Sequence, residues 1–103
     1  MNNFDLAINT GTSPETLERL ANEDVDDIVR HWVARNHNTH PETLARLAKD
    51  ENSWIREGVA ENHNTPPEIL DRLANDDNVE VRSHVAENPN TPQYIKSYLK
   101  IMD

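Results

Sequence analysis

A chain of 103 residues carrying 10 basic and 19 acidic side chains has the length of one compact domain, and its net charge of −9 repels a phosphate backbone. At 35% apolar and 28% charged, with a mean hydropathy of −0.87, it is polar for a folded chain without being of low complexity. With no cysteine there are no disulfides, no thiolate metal sites and no thiol catalysis, and no stretch approaches the roughly 18 apolar residues of a membrane span.

The opening residues, MNNFDLAINTGT, carry neither a basic segment nor an apolar targeting core, so a cytoplasmic location is expected. Leu6 and Ala7 stand where Val33 and Ala34 stand later, which makes 1–11 half of a unit and an N-terminal cap. Thr12-Ser13-Pro14-Glu15 then opens a first helix, and the same opening recurs as Thr39-His40-Pro41-Glu42 and Thr65-Pro66-Pro67-Glu68. A threonine N-cap with glutamate three residues on is a capping box, and proline is tolerated in the first turn, where no intrahelical N–H bond is lost. Each opening leads into L-x-R-L-A and then into V-R-x-x-V-A or a close variant. The apolar residues fall three and four apart, the period of a helix. Each unit is therefore two short helices. Asn36, Asn62 and Asn88 match at a spacing of 26, as do Arg30, Arg56 and Arg82, with one extra residue in the first unit between Ala21 and Asp24. The repeats are 12–35, 36–61 and 62–87. Residues 88–103 close the chain with one further helix and a shifted stripe of Ile95, Leu99 and Met102.

One unit cannot fold alone. The second brings Leu44, Leu47, Ala48, Ile55, Val59 and Ala60. Its four large side chains supply roughly 6 to 12 kcal/mol on burial, against about 1 to 2 kcal/mol per residue for ordering the backbone. Stacking of the units around a shared core, an all-α solenoid, is the expected solution. Gly11 stands where Asn38, Asn64 and Asn90 stand, which predicts a left-handed turn there. Asn9, Asn36, Asn62 and Asn88 keep their amide in every unit, which predicts a side chain that bonds loop backbone and bridges units.

The pieces N-x-N-T, L-x-R-L-A and V-R-x-x-V-A together resemble the leucine-rich repeat variant family, over about residues 6 to 99. The L-x-x-L-x-L strand pattern of the ordinary leucine-rich repeat is missing. The resemblance implies a right-handed, HEAT-like superhelix of helix pairs, with 3₁₀ geometry open for one helix of each pair, and implies no activity. The iron–sulfur cysteine cluster of the founding member has no counterpart here, so no cofactor is expected.

The charges fall into sets. Asp24, Asp50 and Asp76 each precede Arg30, Arg56 and Arg82 by six, which predicts an Asp–Arg ladder along the stack, with the aspartate also capping the second helix. With Arg19, Arg46 and Arg72 this uses most of the cations, and a nucleic-acid groove is not expected. Glu23, Asp24, Asp50, Glu51, Asp76 and Asp77 recur between the helices of each unit, with Asp26 and Asp27 added in the first. They form either a solvated edge or a negative ridge for a basic partner.

Beside the core pairs Val29/Val33, Ile55/Val59 and Val81/Val85 lie Ile28 and Trp32, Trp54 and Gly58, and Glu80 and His84. This flank varies between units while its neighbours do not, as on the partner-specific surface of a repeat protein. Two readings stand: the tryptophans fill space, with Gly58 making room for a ring, or Trp32, Trp54, His84, Ile28 and Glu80 contact another protein. The histidines sit beside turns at spacings unlike the usual zinc sets, and equivalent residues of stacked units are expected about 10 Å apart, so no metal is expected. No nucleophile elbow or phosphate loop is present. The sequence thus points to a monomeric, non-enzymatic scaffold for protein–protein interaction. The alternative is an acidic inhibitor or nucleic-acid mimic that acts through Glu23, Asp26, Asp27, Glu51 and Asp77.

Overall fold

A computed structural model describes residues 1–23 and 26–102. Among them are eight helices and no strand: α1 (Asn3–Ile8), α2 (Pro14–Glu23), α3 (Asp27–Arg35), α4 (Pro41–Leu47), α5 (Ser53–Glu61), α6 (Pro67–Leu73), α7 (Val79–Glu87) and α8 (Gln93–Met102). Helices α1, α3, α5 and α7 stack in one row, while α2, α4, α6 and α8 each pack beside their own unit. The result is an α-solenoid 44 Å long and 22 by 17 Å across. Both helices of every pair are α-helical, so the 3₁₀ option is not used.

The core runs the length of the stack. Leu17 and Leu20, Leu44 and Leu47, and Leu70 and Leu73 line it from one row, and Val29 and Val33, Ile55 and Val59, and Val81 and Val85 from the other. Ile95 and Leu99 close its end, whereas Met102 lies exposed at the last turn of α8 and does not join the stripe. Gly58 marks a close approach of two stacked helices. A Cβ there would lie 2.9 Å from Ala34 Cβ and 3.0 Å from the His31 carbonyl oxygen.

The repeated asparagine is the joint between units. Asn36 Nδ2 donates to the carbonyls of Ala7 (2.9 Å) and Asn9 (3.0 Å) in the preceding unit. Asn62 does the same to Ala34 and Asn36, and Asn88 to Ala60 and Asn62. Each amide oxygen accepts the backbone N–H two residues on, shaping its own turn. All three side chains are buried, so every polar atom of the amide is used where water cannot replace it.

The turn itself departs from the sequence reading. No described residue has positive φ, so the Gly11/Asn38/Asn64/Asn90 position is not left-handed. Asparagine is there for its side chain: Asn38 Nδ2 donates to the carbonyls of Thr10 and Thr12, Asn64 to His37, and Asn90 to Thr65. Gly11 belongs to the first turn of the stack and has no earlier described turn to bridge.

The threonine is likewise not an N-cap. The residues at the N-caps of α4 and α6 are His40 and Pro66, neither of which makes a side-chain cap bond. Thr12, Thr39, Thr65 and Thr91 instead donate their hydroxyls to the carbonyls of Leu6, Val33, Val59 and Val85, six residues back. At Val33, Val59 and Val85 the hydroxyl is a second donor, because these carbonyls at the C-terminal end of the previous helix also accept the N–H of Asn36, Asn62 and Asn88. Only the first unit uses a hydroxyl in the expected way, through Ser13 Oγ accepting from the Thr16 N–H.

Two substitutions separate these roles. Asn62→Ala should cost about 2 to 4 kcal/mol in urea unfolding, since it removes the amide donor from the buried Ala34 carbonyl, the acceptor from the Asn64 N–H, and one of the two donors to the Asn36 carbonyl, which keeps the Thr39 N–H. Gly11→Ala should change stability by less than about 1 kcal/mol, because its φ is one that any residue adopts and the new methyl meets only the exposed Asn9 side chain, with Oδ1 at 3.3 Å. A loss above about 1 kcal/mol at Gly11 would restore the left-handed turn.

Candidate functional site

The flank of α3, α5 and α7 carries most of what differs between units. On α3, His31 is buried and Trp32 half-buried, while on α5 the Trp54 ring remains 39% exposed. The His31 imidazole stacks on the Trp54 ring with centroids 3.8 Å apart and planes within 8°. Trp32 meets His31 edge-on at 5.5 Å, and the Arg35 guanidinium lies over Trp32 at 4.8 Å. Gly58 admits the imidazole, since a Cβ there would also lie 3.3 Å from His31 Nδ1. The glycine therefore makes room for a histidine and for helix approach, where the sequence suggested room for a tryptophan ring.

His31 is the hinge of this strip. Its Nδ1 lies 2.9 Å from the Trp54 carbonyl oxygen, so Nδ1 carries the proton and donates. Burial lowers its pKa below the ordinary histidine value; the bond to Trp54 opposes this shift and Arg35 reinforces it. His31 stood outside the sequence-based site because its equivalents are Glu57 and Ser83, an unremarkable polar position.

The other residues predicted for this flank are divided. Ile28 and Glu80 are exposed on α3 and α7, at the rung where α5 carries Trp54. His84 does not join the aromatic strip. Its Nε2 lies 3.3 Å from Glu57 Oε1 and 3.5 Å from Glu61 Oε1, and its Nδ1 lies 3.9 Å from Glu87 Oε1. Glu61 also reaches back one unit, to Arg35 Nε at 3.3 Å.

The acidic edge is interleaved with cations. Arg30 reaches forward to Asp50 (3.2 Å), and Arg56 grips Asp76 with two nitrogens, at 2.8 and 3.1 Å. Arg30 and Arg56 thus pair with the aspartate of the next unit, while Arg56 and Arg82 also reach the main chain of their own unit's aspartate, through Arg56 Nη1 to the Asp50 carbonyl and Arg82 Nη1 to that of Asp76. Burial alone would raise the Asp76 carboxyl, but the Arg56 guanidinium and the Asn78 N–H outweigh it and leave the pKa below the ordinary value. Asp24 falls outside the described residues. Asp50 and Asp76 do not cap the helices that follow. Asn52 and Asn78 do so, and the aspartates accept the N–H of those asparagines.

The remaining edge acids are also engaged. Asp26 caps α3 through the Ile28 N–H. Asp27 accepts from Arg30 (2.7 Å) and from Asn52 Nδ2 (2.8 Å). Glu23 lies 3.9 Å from Arg19, and Asp77 lies 3.5 Å from Arg56 with its side chain almost fully exposed. Glu51 is exposed, and its carbonyl accepts from Arg56.

The leucine rich repeat variant family model matches residues 29–52 and again 54–78, which together take in α3 to α6. Residues 29–52 and 54–78 are two leucine rich repeat variant repeats. Each match begins in a second helix and ends just before or at the start of the next, so the family unit is phased half a step from the 12–35 and 36–61 division. Leucine rich repeat variant repeats are HEAT-like helical repeats and form scaffolds with no catalytic machinery of their own. No curated protein and no solved structure gives a match to the chain. Among the described residues no helix is long and apolar enough to cross a membrane.

The His31 environment sets a pH dependence. A histidine whose pKa is lowered on folding binds more protons in the unfolded state, so stability rises with pH below about 6.5 and is lost on acidification. Urea midpoints taken at pH 7.5 and pH 5.5 should therefore fall with pH, and His31→Gln should reduce that difference. Gly58→Ala should destabilise by about 1 to 3 kcal/mol, as overpacking does, because backbone lies against the new methyl.

Proposed function

We propose that this chain is a non-enzymatic scaffold that binds another protein through the flank of α3, α5 and α7. Ile28, Trp32, Trp54, Glu80 and His84 are its contact residues. The observation that carries this reading is the Trp32–His31–Trp54 strip. Trp54 is a large aromatic left partly open to solvent, and it is held rigid by stacking on a buried imidazole. Interface hot spots are of this kind: an aromatic anchor whose conformational entropy is already lost before the partner arrives. The family supports the same class of function, since its repeats typically serve protein interaction.

The charge pattern favours this face over the acidic edge. Arginines are threaded between the edge carboxylates, and Asp26 and Asp27 are committed to a helix cap and to Arg30 and Asn52. Energy at such an edge would be largely electrostatic and would collapse with salt, whereas an aromatic anchor keeps its affinity.

The test is capture of partners from the native host's lysate at low and at high salt, followed by affinity measurement with the identified partner. Trp54→Ala should weaken binding by at least about tenfold, in keeping with loss of a hot-spot aromatic, with the helical circular dichroism unchanged. Glu51→Ala with Asp77→Ala should leave affinity within about twofold, as changes at an exposed rim do. Binding that survives Trp32→Ala with Trp54→Ala, or that vanishes with salt and with the edge acids, overturns the assignment.

A further inference from the structure

Two carboxylates four residues apart on one helix share a face, and Glu57 and Glu61 occupy such positions on α5. The next helix of the row presents His84 between them. The geometry points to a divalent transition-metal site formed by Glu57, Glu61 and His84, with zinc the best-fitting ion and water completing its coordination. The site shares His84 with the proposed partner surface, but its test uses the metal alone and so stands or falls apart from that reading.

Three features carry it. The first is distance. An imidazolium donating to a carboxylate approaches to about 2.7 to 2.9 Å and gives its Nε2 proton to one oxygen. Here Nε2 stands at 3.3 Å from one carboxylate oxygen and 3.5 Å from the other. Zinc bonds of about 2.0 to 2.1 Å in a tetrahedron put neighbouring ligand atoms about 3.3 to 3.4 Å apart. The 3.3 Å separation fits an edge of that figure, and the 3.5 Å separation lies about 0.1 Å beyond one. The third lies between flexible glutamate side chains, and all three donor atoms already sit within 4.8 Å of one another.

The second feature is charge. Glu57, Glu61 and Glu87 surround His84, and the neighbouring helix α3 adds Arg35, which holds the far oxygen of Glu61 at 3.3 Å. Even with His84 protonated, the cluster keeps an excess of negative charge. With His84 neutral, Arg35 and a divalent ion together balance the three carboxylates.

The third feature is the outer shell. Arg35 fixes the non-ligating oxygen of Glu61, and the Glu87 carboxylate lies 3.9 Å from His84 Nδ1, on the side of the ring away from the donor atom. A carboxylate hydrogen-bonded behind a ligating imidazole orients the ring and raises its basicity, a role the exposed Glu87 side chain would take by closing about 1 Å on Nδ1. The imidazole also selects the ion, because nitrogen donors favour zinc and its neighbours, whereas calcium and magnesium take oxygen. The donors come from two units, so the ion would clip the second repeat to the third.

The experiment is calorimetric titration of the chelator-stripped full chain with zinc chloride, and separately with calcium chloride, at pH 7.5. One zinc per chain is expected, with no comparable calcium heat and with a thermal midpoint that rises on zinc addition. His84→Gln and Glu57→Gln should each weaken zinc by at least about tenfold, in line with the sensitivity of metal sites to their ligands. Both side chains lie at the surface rim, and circular dichroism checks that each variant folds. His37→Gln with His63→Gln removes the other pair of neighbouring histidines, whose rings lie 6.2 Å apart, and should leave the affinity unchanged. Absence of zinc binding by the wild-type chain overturns the proposal. So does zinc binding that persists in His84→Gln but is lost in the His37/His63 variant, or a site that calcium fills equally well.

Discussion

Each joint of this solenoid at Asn36, Asn62 and Asn88 hangs on one buried amide. The hydrophobic stripe supplies most of the driving force, but apolar contact is indifferent to small rotations and slips of one helix pair over the next. The asparagine is not. Its two N–H bonds end on carbonyls of the preceding unit and its oxygen ends on its own turn, so the spacing and angle between units follow from hydrogen-bond geometry. The threonine hydroxyl, six residues after the valine whose carbonyl it meets, then closes the helix that leads into the turn. These bonds close the polar accounts of the turn, which is buried on one side by its neighbour.

On that frame the second-helix row tolerates variety. Position 58 and its equivalents hold tryptophan, glycine and histidine, and each choice changes what lies beside it. Where glycine stands, an imidazole enters and a tryptophan from the same helix covers it. Where histidine stands, it reaches the glutamates of the previous helix. The varied surface of this row is thus composed across unit boundaries, with the His31–Trp54 stack and the His84–glutamate cluster each needing residues from two repeats.

This explains what could be read in advance. Helix pairs, period, core stripe and the bridging asparagine were legible because each is written several times, and comparison of the copies separates a fixed role from a free one. The left-handed turn was misread because glycine and asparagine share two properties, tolerance of positive φ and small size, and the first copy stands where the side-chain bond has no target. The threonine was misread because a capping box and an i to i−6 hydroxyl bond leave the same letters in the chain. His31 and the Glu57–Glu61–His84 group escaped for a further reason. Comparing equivalent positions asks whether residue 32 meets residue 58, whereas the contacts run between unlike positions, 31 with 54 and 57 with 84.

The asparagine bridge speaks only to main chain. Its acceptors are the carbonyls of Ala34 and Asn36, which any residues at those positions would offer, and its own turn is bonded through an N–H that any residue but proline would provide. A unit therefore does not need to recognise the particular neighbour it stacks on. Copies can be duplicated, deleted or exchanged at the genetic level and still find the same docking pattern, since Asn62 would meet at Ala7 and Asn9 the same pair of carbonyls it meets at Ala34 and Asn36. The joint that makes the stack rigid is also the one that leaves its length and its order of faces open to evolution.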